Sequence, residues 1–446
     1  MLRLAFLGFL ALALNSCMIT SKFHAERQAD WLQILDRHGS LLNHKEELRS
    51  YIATSDTSYD TLQRLSTRQL KDIEKAAKNH GIPLKKYPLF LSLKKAQVTR
   101  SKEIESLLVA DLILSVAAHL RFGIIEPKNV NPNWRSLKKR RISGKILADL
   151  KPDQYFQTKL ELFAPQNPGY QRLARWIRSK DLEPRKADSL NDLRWRVMAN
   201  MERWRWLQNQ LGHSYVIANV ANASLALVSD NKTVLSSRIV VGRLARQTPV
   251  FSSKIDHIVW RPNWTIPRTI WSADVLPMIR RKPSYADERD IGFFKKSRRR
   301  LSSIDNKHFF SMNKDEQLKA VAIQKHGPLN PLGDVKIGFD NQHQIFLHDS
   351  PNPNQYNSKQ WTLSSGCIRV EKAEELAMLL EDLGQASTRD LHDGDRHVFR
   401  SLKSPIPIHI VYLSVWIDES GKLYQVDDPY ERDSVMASLL IHSKRL

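Results

Sequence analysis

The spacing of apolar residues divides the chain into two regions of different character. From 102 to 122 apolar side chains recur at helical spacing, and Gly123 supplies a stop signal. A second stretch, from Leu190 to Trp204, is also close to helical spacing. The pattern predicts a helical domain over 18–207.

After Gly212 the pattern changes to short β-rich runs separated by turn residues. The predicted strands are Tyr215 to Val220, Ser224 to Val228, Val234 to Val241, Gln344 to His348, Ile408 to Ile417 and Leu423 to Val426. Leucines at 376, 379, 380 and 383 predict one helix among them. The fold class is therefore α+β, with a mainly β domain over 208–433 and a C-terminal tail over 434–446.

The segment 282–325 carries few periodic signals and is basic and polar. Because long loops in compact domains are often functional, it is a candidate mobile flap. An ordinary surface insertion is the alternative interpretation.

The N-terminus has the pattern of an export signal. Arg3 precedes an apolar run, Leu4 to Leu14, which is shorter than the roughly 20 residues that span a bilayer. The run ends at Ser16 and Cys17 in a sequence that resembles a bacterial lipobox. We expect 1–17 to be a lipoprotein-type signal peptide, with lipid on Cys17. A plain signal peptide cut elsewhere and an uncut anchor are the alternatives.

These features predict a periplasmic protein anchored to a membrane by lipid. Met18, which follows Cys17, favours the outer membrane over the inner one.

The chain is strongly basic, with a net charge of +22. Its densest runs are Lys138 to Arg141 and Lys295 to Arg300. An exported protein meets lipid headgroups and the carboxylates of cell-wall peptides rather than nucleic acid. Each run is also compatible with a solvated basic face.

Cysteine usage draws attention to one residue. The chain has 2 cysteines, and if Cys17 carries lipid or is removed, Cys367 has no partner for an internal disulfide. A lone thiol in an exported protein is either buried and inert or used in chemistry.

The surroundings of Cys367 favour chemistry. Gly366 and Cys367 stand before the predicted helix, whose N–H groups would favour a thiolate, and His348 ends a predicted strand. A thiol of pKa ~8.5 needs a base, and a histidine of pKa ~6.5 can take its proton. Because Gly366 lets a substrate approach the backbone, nearby N–H groups are candidates for an oxyanion site.

Longer motifs around these residues resemble the L,D-transpeptidases with a YkuD-type catalytic domain, in their larger Gram-negative form with a helical scaffold domain. The similarity covers Leu190 to Asp433 strongly and Asp111 to Trp134 loosely. The motifs are Asn200 to Trp206, Val240 to Gly242, Gln247 to Phe251, Pro262 to Trp264, Ile266 with Pro267, Asn330 to Gly333, Val335 with Lys336, His348 with Asp349, Ser364 to Glu371, and, near the end, Pro405, Pro407, Tyr412 and Asp418 to Gly421.

The resemblance implies a role for each site residue. Cys367 would be the nucleophile and His348 the general base and acid, and the backbone carbonyl of Asp349 would orient the imidazole. Gly366 would lie in the oxyanion region.

Three further residues are candidates for substrate binding by the same resemblance: Arg369, Ser365 and Trp264. Ser365 stands where the wider superfamily usually has histidine, and Arg369 replaces an asparagine frequent in shorter relatives. Arg369 would either support the loop or bind a substrate carboxylate.

The implied activity is peptidoglycan L,D-transpeptidation on stem peptides, without a metal or other cofactor. Cys367 would attack the bond between the third-position diamino acid and D-Ala of a tetrapeptide stem. Transfer to an amine would give a 3-3 cross-link or D-amino acid exchange. The alternatives are a hydrolase or carboxypeptidase, an envelope-protein attachment enzyme, and an inactive cell-wall scaffold.

Overall fold

The computed structural model describes most of the 446-residue chain. The described residues are 25–55, 58–84, 87–95, 101–135, 141–179, 193–207, 211–297, 300–386 and 397–442. Cys17 and the rest of the expected signal peptide lie outside them.

The N-terminal region is helical, as the spacing of apolar residues predicted. Its helices are 25–38 (α1), Lys45–Thr54 (α2), Ser58–Arg64 (α3), Leu70–Asn79 (α4), Pro88–Lys94 (α5), Lys102–Phe122 (α6), Pro127–Val130 (α7), Ile146–Asp149 (α8), Phe156–Glu161 (α9), Pro168–Ser179 (α10) and Leu193–Arg205 (α11).

Helix α6 is the centre of this region. The Ser101 side chain accepts a hydrogen bond from the Ile104 N–H and so caps its first turn. Most of its residues are buried on every side, so it is a core helix rather than an amphipathic one. Gly123 ends it with φ +83°, which glycine adopts without strain, and donates its N–H to the His119 carbonyl. The predicted helix and its stop signal are confirmed.

The C-terminal region is mainly β. Its strands are Ser214–Asn219 (β1), Ser224–Ser229 (β2), Lys232–Gly242 (β3), Phe251–Trp260 (β4), Trp264–Thr265 (β5), Ile291–Ser297 (β6), Arg300–Ile304 (β7), Val321–Gln324 (β8), Val335–Phe339 (β9), Leu347–His348 (β10), Thr362–Ser364 (β11), Ile368–Val370 (β12), Val398–Val411 (β13), Val415–Ile417 (β14) and Leu423–Gln425 (β15). Its helices are Arg268–Ile270 (α12), Leu276–Arg281 (α13), Ser284–Glu288 (α14), Asn306–Ser311 (α15), Lys314–Lys319 (α16), Ala373–Leu383 (α17) and Arg432–His442 (α18).

Nine strands form the main sheet, in the order β11-β3-β12-β10-β9-β4-β13-β1-β2. Strand β3 pairs with β2 through its first part and with β12 and β11 through its second part. The sheet therefore closes on itself around a core of apolar side chains.

Two predicted strands differ in extent from the observed ones. Only Leu347 and His348 of the run Gln344 to His348 pair as a strand, because Gln344 has φ +55° and turns the chain just before them. The run Ile408 to Ile417 is divided between β13 and β14.

The segment 282–325 is folded, which its weak periodicity did not indicate. With β5 it forms a four-stranded sheet in the order β5-β8-β6-β7. Residues from this sheet and its helices bury a separate apolar cluster, in which Trp271, Phe293 and Phe309 pack against one another. Side chains distant in sequence build this core, so no local pattern announces it.

The chain end also differs from the expected tail over 434–446. Helix α18 packs against α11 and buries Met436, Ala437 and Leu440. Apolar residues at helical spacing make this segment part of the core that joins the helical region to the main sheet.

Buried charges on α11 reinforce that junction. The Arg205 guanidinium donates to the Glu202 carboxylate at 2.9 Å, and the same carboxylate accepts the Ile125 N–H at 2.6 Å. On the other side, Arg203 donates to Asp433 of α18 at 2.6 Å. All four charged side chains are buried, so each depends on its partner.

Within the described residues, no helix is both long and apolar enough to cross a membrane.

We predict that Glu202→Ala lowers the free energy of unfolding by roughly 3–5 kcal/mol, because it leaves the Arg205 charge buried without its carboxylate. Chemical denaturation measures the change. The matched control is Glu288→Ala, which removes a carboxylate from an exposed ion pair with Lys282 and should leave stability unchanged. Equal losses in both variants would contradict the prediction.

Candidate active site

Three neighbouring strands place charged and titratable residues in one row. His348 on β10 pairs with Lys336 on β9 and with Arg369 on β12. Directly paired residues project from the same face of a sheet. The imidazole of His348 therefore stands between two cationic side chains.

Cys367 lies on the same face, immediately before β12. It is two residues from Arg369, and side chains alternate along a strand, so both point the same way. The Ile368 N–H donates to the Phe346 carbonyl, and this hydrogen bond joins the segment around Cys367 to the strand that ends in His348. The structure thus brings Cys367, at the residue before β12, and His348, on the adjacent strand β10, to the same face.

The expected helix N-terminus does not adjoin the thiol. A strand follows Cys367, and α17 begins only at Ala373. Burial of the half-buried cysteine raises the pKa of its thiol to about 11, while the Phe346 N–H, Lys336 and Arg369 act in the opposite direction. The resting side chain is a neutral thiol, which donates to the Gln344 carbonyl at 3.8 Å.

His348 is held by the Asp349 carbonyl. The imidazole Nδ1–H donates to this oxygen at 2.6 Å, which leaves the lone pair on Nε2. Burial lowers the pKa of His348 to about 3, and the Arg369 charge adds to that effect. The carbonyls of Asp349 and Pro331 oppose it. The histidine is therefore a neutral base at physiological pH.

The loop before Cys367 is fixed by hydrogen bonds. Gly366 has φ +120°, its carbonyl accepts from the Thr248 hydroxyl at 2.8 Å, and its N–H donates to the Ser364 hydroxyl at 3.0 Å. Ser364 in turn donates to the Cys367 carbonyl at 2.6 Å. Because the Gly366 N–H already has an acceptor, its use in an oxyanion site requires that bond to open.

Ser365 connects this loop to the second sheet. Arg246 donates to the Ser365 hydroxyl at 3.1 Å and to Asp274 at 2.6 Å. Asp274 lies in the turn Trp271–Val275, which belongs to the unit with the separate apolar cluster. The Arg246 guanidinium therefore links the loop before Cys367 to the unit that contains the separate apolar cluster.

Arg369 and Trp264 have different surroundings. Arg369 donates to the side-chain oxygen of Gln355 at 2.6 Å, while its Nε and the Gln355 amide nitrogen are buried without described partners. This contact supports the loop around Gln355 and leaves donors for a ligand. Trp264 is half-buried on β5, where it packs against the second apolar cluster.

Carboxylates also gather beside His348. Among the described residues, oxygens of Asp334, Asp349 and Glu374 lie within 4.8 Å of one another. The Asp349 carboxylate accepts the Asp334 N–H at 3.0 Å, and two of the three residues are exposed. The donor set is of the kind that binds hard cations.

Comparison with protein families identifies this arrangement. The YkuD model, described as an L,D-transpeptidase catalytic domain, matches residues 213–398, and a model described as a scaffold domain matches residues 61–176. The C-terminal region is thus similar to YkuD-type L,D-transpeptidase catalytic domains, and the helical region before it is similar to a scaffold domain. The predicted α+β class, helical first and mainly β afterwards, is confirmed.

One relative of known name agrees with these matches. A protein of Haemophilus influenzae named as an L,D-transpeptidase is 29% identical over 231 residues, which cover 50% of this chain and 45% of the relative. The match thus spans about half the length of that protein.

Solved structures give a weaker comparison. An L,D-transpeptidase from Mycobacterium smegmatis shares 10% identity with a TM-score of 0.22, over 44% of this chain and 58% of that one. One from Enterococcus faecium shares 10% identity with a TM-score of 0.19, over 45% and 50%. At these scores the superpositions carry no argument.

Some residues that shape the candidate site were not singled out from the sequence. Thr248 holds the Gly366 carbonyl, and Tyr430 donates to the Gly242 carbonyl at 2.5 Å. Thr248 stood in a quoted motif, from Gln247 to Phe251, but its role depends on a contact across 118 positions of chain. Lys336 also stood in a quoted motif, Val335 with Lys336, but its place in the site depends on the pairing of β9 with β10.

We predict that iodoacetamide modifies Cys367 slowly at neutral pH, with a rate rising about tenfold per pH unit up to about pH 10, because only the thiolate reacts. The thiol stays protonated below its raised pKa of about 11. Mass spectrometry of a Cys17→Ser protein follows this single thiol. A rate that levels off near pH 8.5, as for an ordinary cysteine, would contradict the assignment.

Proposed function

We propose that the protein is a peptidoglycan L,D-transpeptidase that works by acyl transfer through Cys367. The observation that carries the proposal is the shared face of β10 and β12, which presents a neutral imidazole on β10 and a neutral thiol at the residue before β12. The carbonyl-held Nδ1 leaves Nε2 as the basic atom. Acyl transfer requires this combination of nucleophile and base.

In the first half-reaction, His348 takes the proton of Cys367 as sulfur attacks the substrate carbonyl. The carbonyl joins the third-position diamino acid to the terminal D-alanine of a tetrapeptide stem. Because neither group is charged at rest, proton transfer accompanies attack rather than preceding it. The imidazolium then protonates the leaving amine, D-alanine departs, and a thioester remains.

The thiol has to turn from the Gln344 carbonyl toward the imidazole before this step. Reorientation of the S–H group breaks a long S–H···O contact of 3.8 Å. Such a contact is weak, so substrate binding readily compensates for its loss.

In the second half-reaction an amine attacks the thioester and gives its proton to His348. The C–S bond breaks, and the imidazolium returns the proton to the Cys367 sulfur. The amine of a neighbouring stem's third residue gives a 3-3 cross-link, and a D-amino acid gives exchange. Water in the same position makes the protein a carboxypeptidase. An amine of an envelope protein as acceptor makes it an attachment enzyme, and cleavage of a stem already linked to such a protein makes it a detachment enzyme. The same face, with both groups in place, opposes the inactive scaffold interpretation.

We predict that Cys367→Ala abolishes 3-3 cross-links while leaving the fold intact, because a methyl group replaces a half-buried thiol. Muropeptide analysis of a deletion strain, complemented with the wild type or the variant, measures the products. Full restoration of the wall profile by Cys367→Ala would reject the enzymatic proposal. Unchanged cross-links with altered protein attachment would favour the attachment enzyme instead.

We also propose that the protein is held in the periplasm by lipid on Cys17, with the outer membrane as its site. The support is the short apolar run followed by Ser16 and Cys17. We expect Cys17→Ser to move the protein from the membrane to the soluble fraction on cell fractionation, because one acyl-bearing residue is its anchor. A variant that remains with the membrane would reject lipid anchoring through this residue.

A further inference from the structure

Lys336 is the second cation in the active-site row, in addition to Arg369. It is half-buried on β9, directly opposite His348 and on the side of that residue away from Arg369. Its Nζ lies 4.5 Å from the centroid of the Phe346 ring. Within the described part of the chain, no ion pair joins this ammonium to a carboxylate, and Cys367 is the ionisable group that acts on it.

The neighbouring groups leave its charge uncompensated. The Cys367 thiol and the His348 imidazole are both neutral at rest, since burial raises the pKa of the first and lowers that of the second. Arg369 donates to the amide oxygen of Gln355, which is also neutral. The row therefore holds two positive charges and no negative one.

An uncompensated, partly desolvated ammonium is costly, and an anionic ligand relieves that cost. Burial lowers the pKa of Lys336 because desolvation disfavours its charged form. The ring of Phe346 offers a favourable face to the ammonium but no negative charge. A ligand that brings an anion close to the Cys367 sulfur would complete the site.

We propose that Lys336 binds the terminal carboxylate of the acyl-donor peptide. This inference rests on the proposed function, in which Cys367 attacks the carbonyl one residue before the peptide's end. Only the nitrogen and α-carbon of the leaving residue separate that carbonyl from the terminal carboxylate. A cation beside the nucleophile is therefore within reach of the carboxylate when the carbonyl meets the sulfur.

The contact makes binding depend on the length of the acyl-donor peptide. A peptide that ends one residue beyond the attacked carbonyl presents its carboxylate to Lys336. A peptide extended by another residue, or capped as an amide, places a neutral amide there and leaves the ammonium uncompensated. The ligand class is a peptide with a free carboxylate directly beyond the scissile bond.

Equilibrium binding tests the contact without any chemistry. The protein is the full chain with Cys367→Ala, and the probes are the tetrapeptide stem ending in D-alanine as free acid and as C-terminal amide. We expect the acid to bind about 10- to 100-fold more tightly than the amide, the range for a charge-assisted hydrogen bond. Adding Lys336→Met should abolish the preference by weakening the acid alone.

Two further variants serve as controls. Lys336→Arg keeps the charge and should retain part of the preference, and Lys254→Met removes an exposed lysine of β4 outside the row and should retain all of it. Circular dichroism of each variant checks folding, and Lys336→Gln replaces Lys336→Met if the latter does not fold. Equal binding of acid and amide, or a preference that survives Lys336→Met, would overturn the inference.

A separate measurement keeps the proposed function distinguishable. Formation of a covalent adduct on wild-type Cys367 from the free-acid peptide, followed by intact-protein mass spectrometry, tests acyl transfer alone. An acid preference that depends on Lys336, without any adduct, would support the carboxylate site and count against the transpeptidase. An adduct that forms equally from acid and amide would support the acyl transfer and overturn the role of Lys336.

Discussion

The register of three short strands is the constraint on which the site depends. Lys336, His348 and Arg369 share a face only because β9, β10 and β12 pair as they do. A shift of one residue in β10 would turn the imidazole to the opposite face and bring buried Leu347 to the site. The apolar side chains of the alternate row, Leu347, Ile337 and Ile368, fix this register because they must remain in the core.

Contacts from distant parts of the chain hold that register. Thr248 and Tyr430 brace the loop before Cys367 through the carbonyls of Gly366 and Gly242. Tyr430 lies just before the helix α18, which the Arg203–Asp433 ion pair secures against α11. The helical region thus stabilises, through α11 and α18, the segment that carries Cys367.

Local sequence patterns predicted the helices and strands of this protein better than the contacts between them. The helix over 102–122 and its stop at Gly123 followed from spacing and glycine chemistry, which act within a few residues. The strand after Cys367 was not foreseen, because its three residues pair with partners far away in sequence. The same limit explains the unexpected fold of 282–325, whose core joins residues such as Trp271 and Phe309.

The candidate site shows the same difference between what local patterns and long-range contacts determine. Cys367 and His348 were proposed as site residues from cysteine usage and motif similarity, both of which can be read from the sequence. The sequence predicted a thiol activated by a helix terminus, whereas the folded environment raises its pKa to about 11. Burial depends on the complete fold, so neither that shift nor the unpaired charge of Lys336 could be predicted from residue types.

The neutrality of the thiol bears on its chemical durability. Oxidation by peroxides proceeds through the thiolate, so a cysteine that stays protonated resists conversion to sulfenic and sulfinic acids. A thiol with a lowered pKa would be more reactive toward substrate but would also be lost sooner in an oxidising compartment. In the proposed mechanism the sulfur becomes nucleophilic only as His348 takes its proton during attack, so the resting thiol stays protected from oxidation.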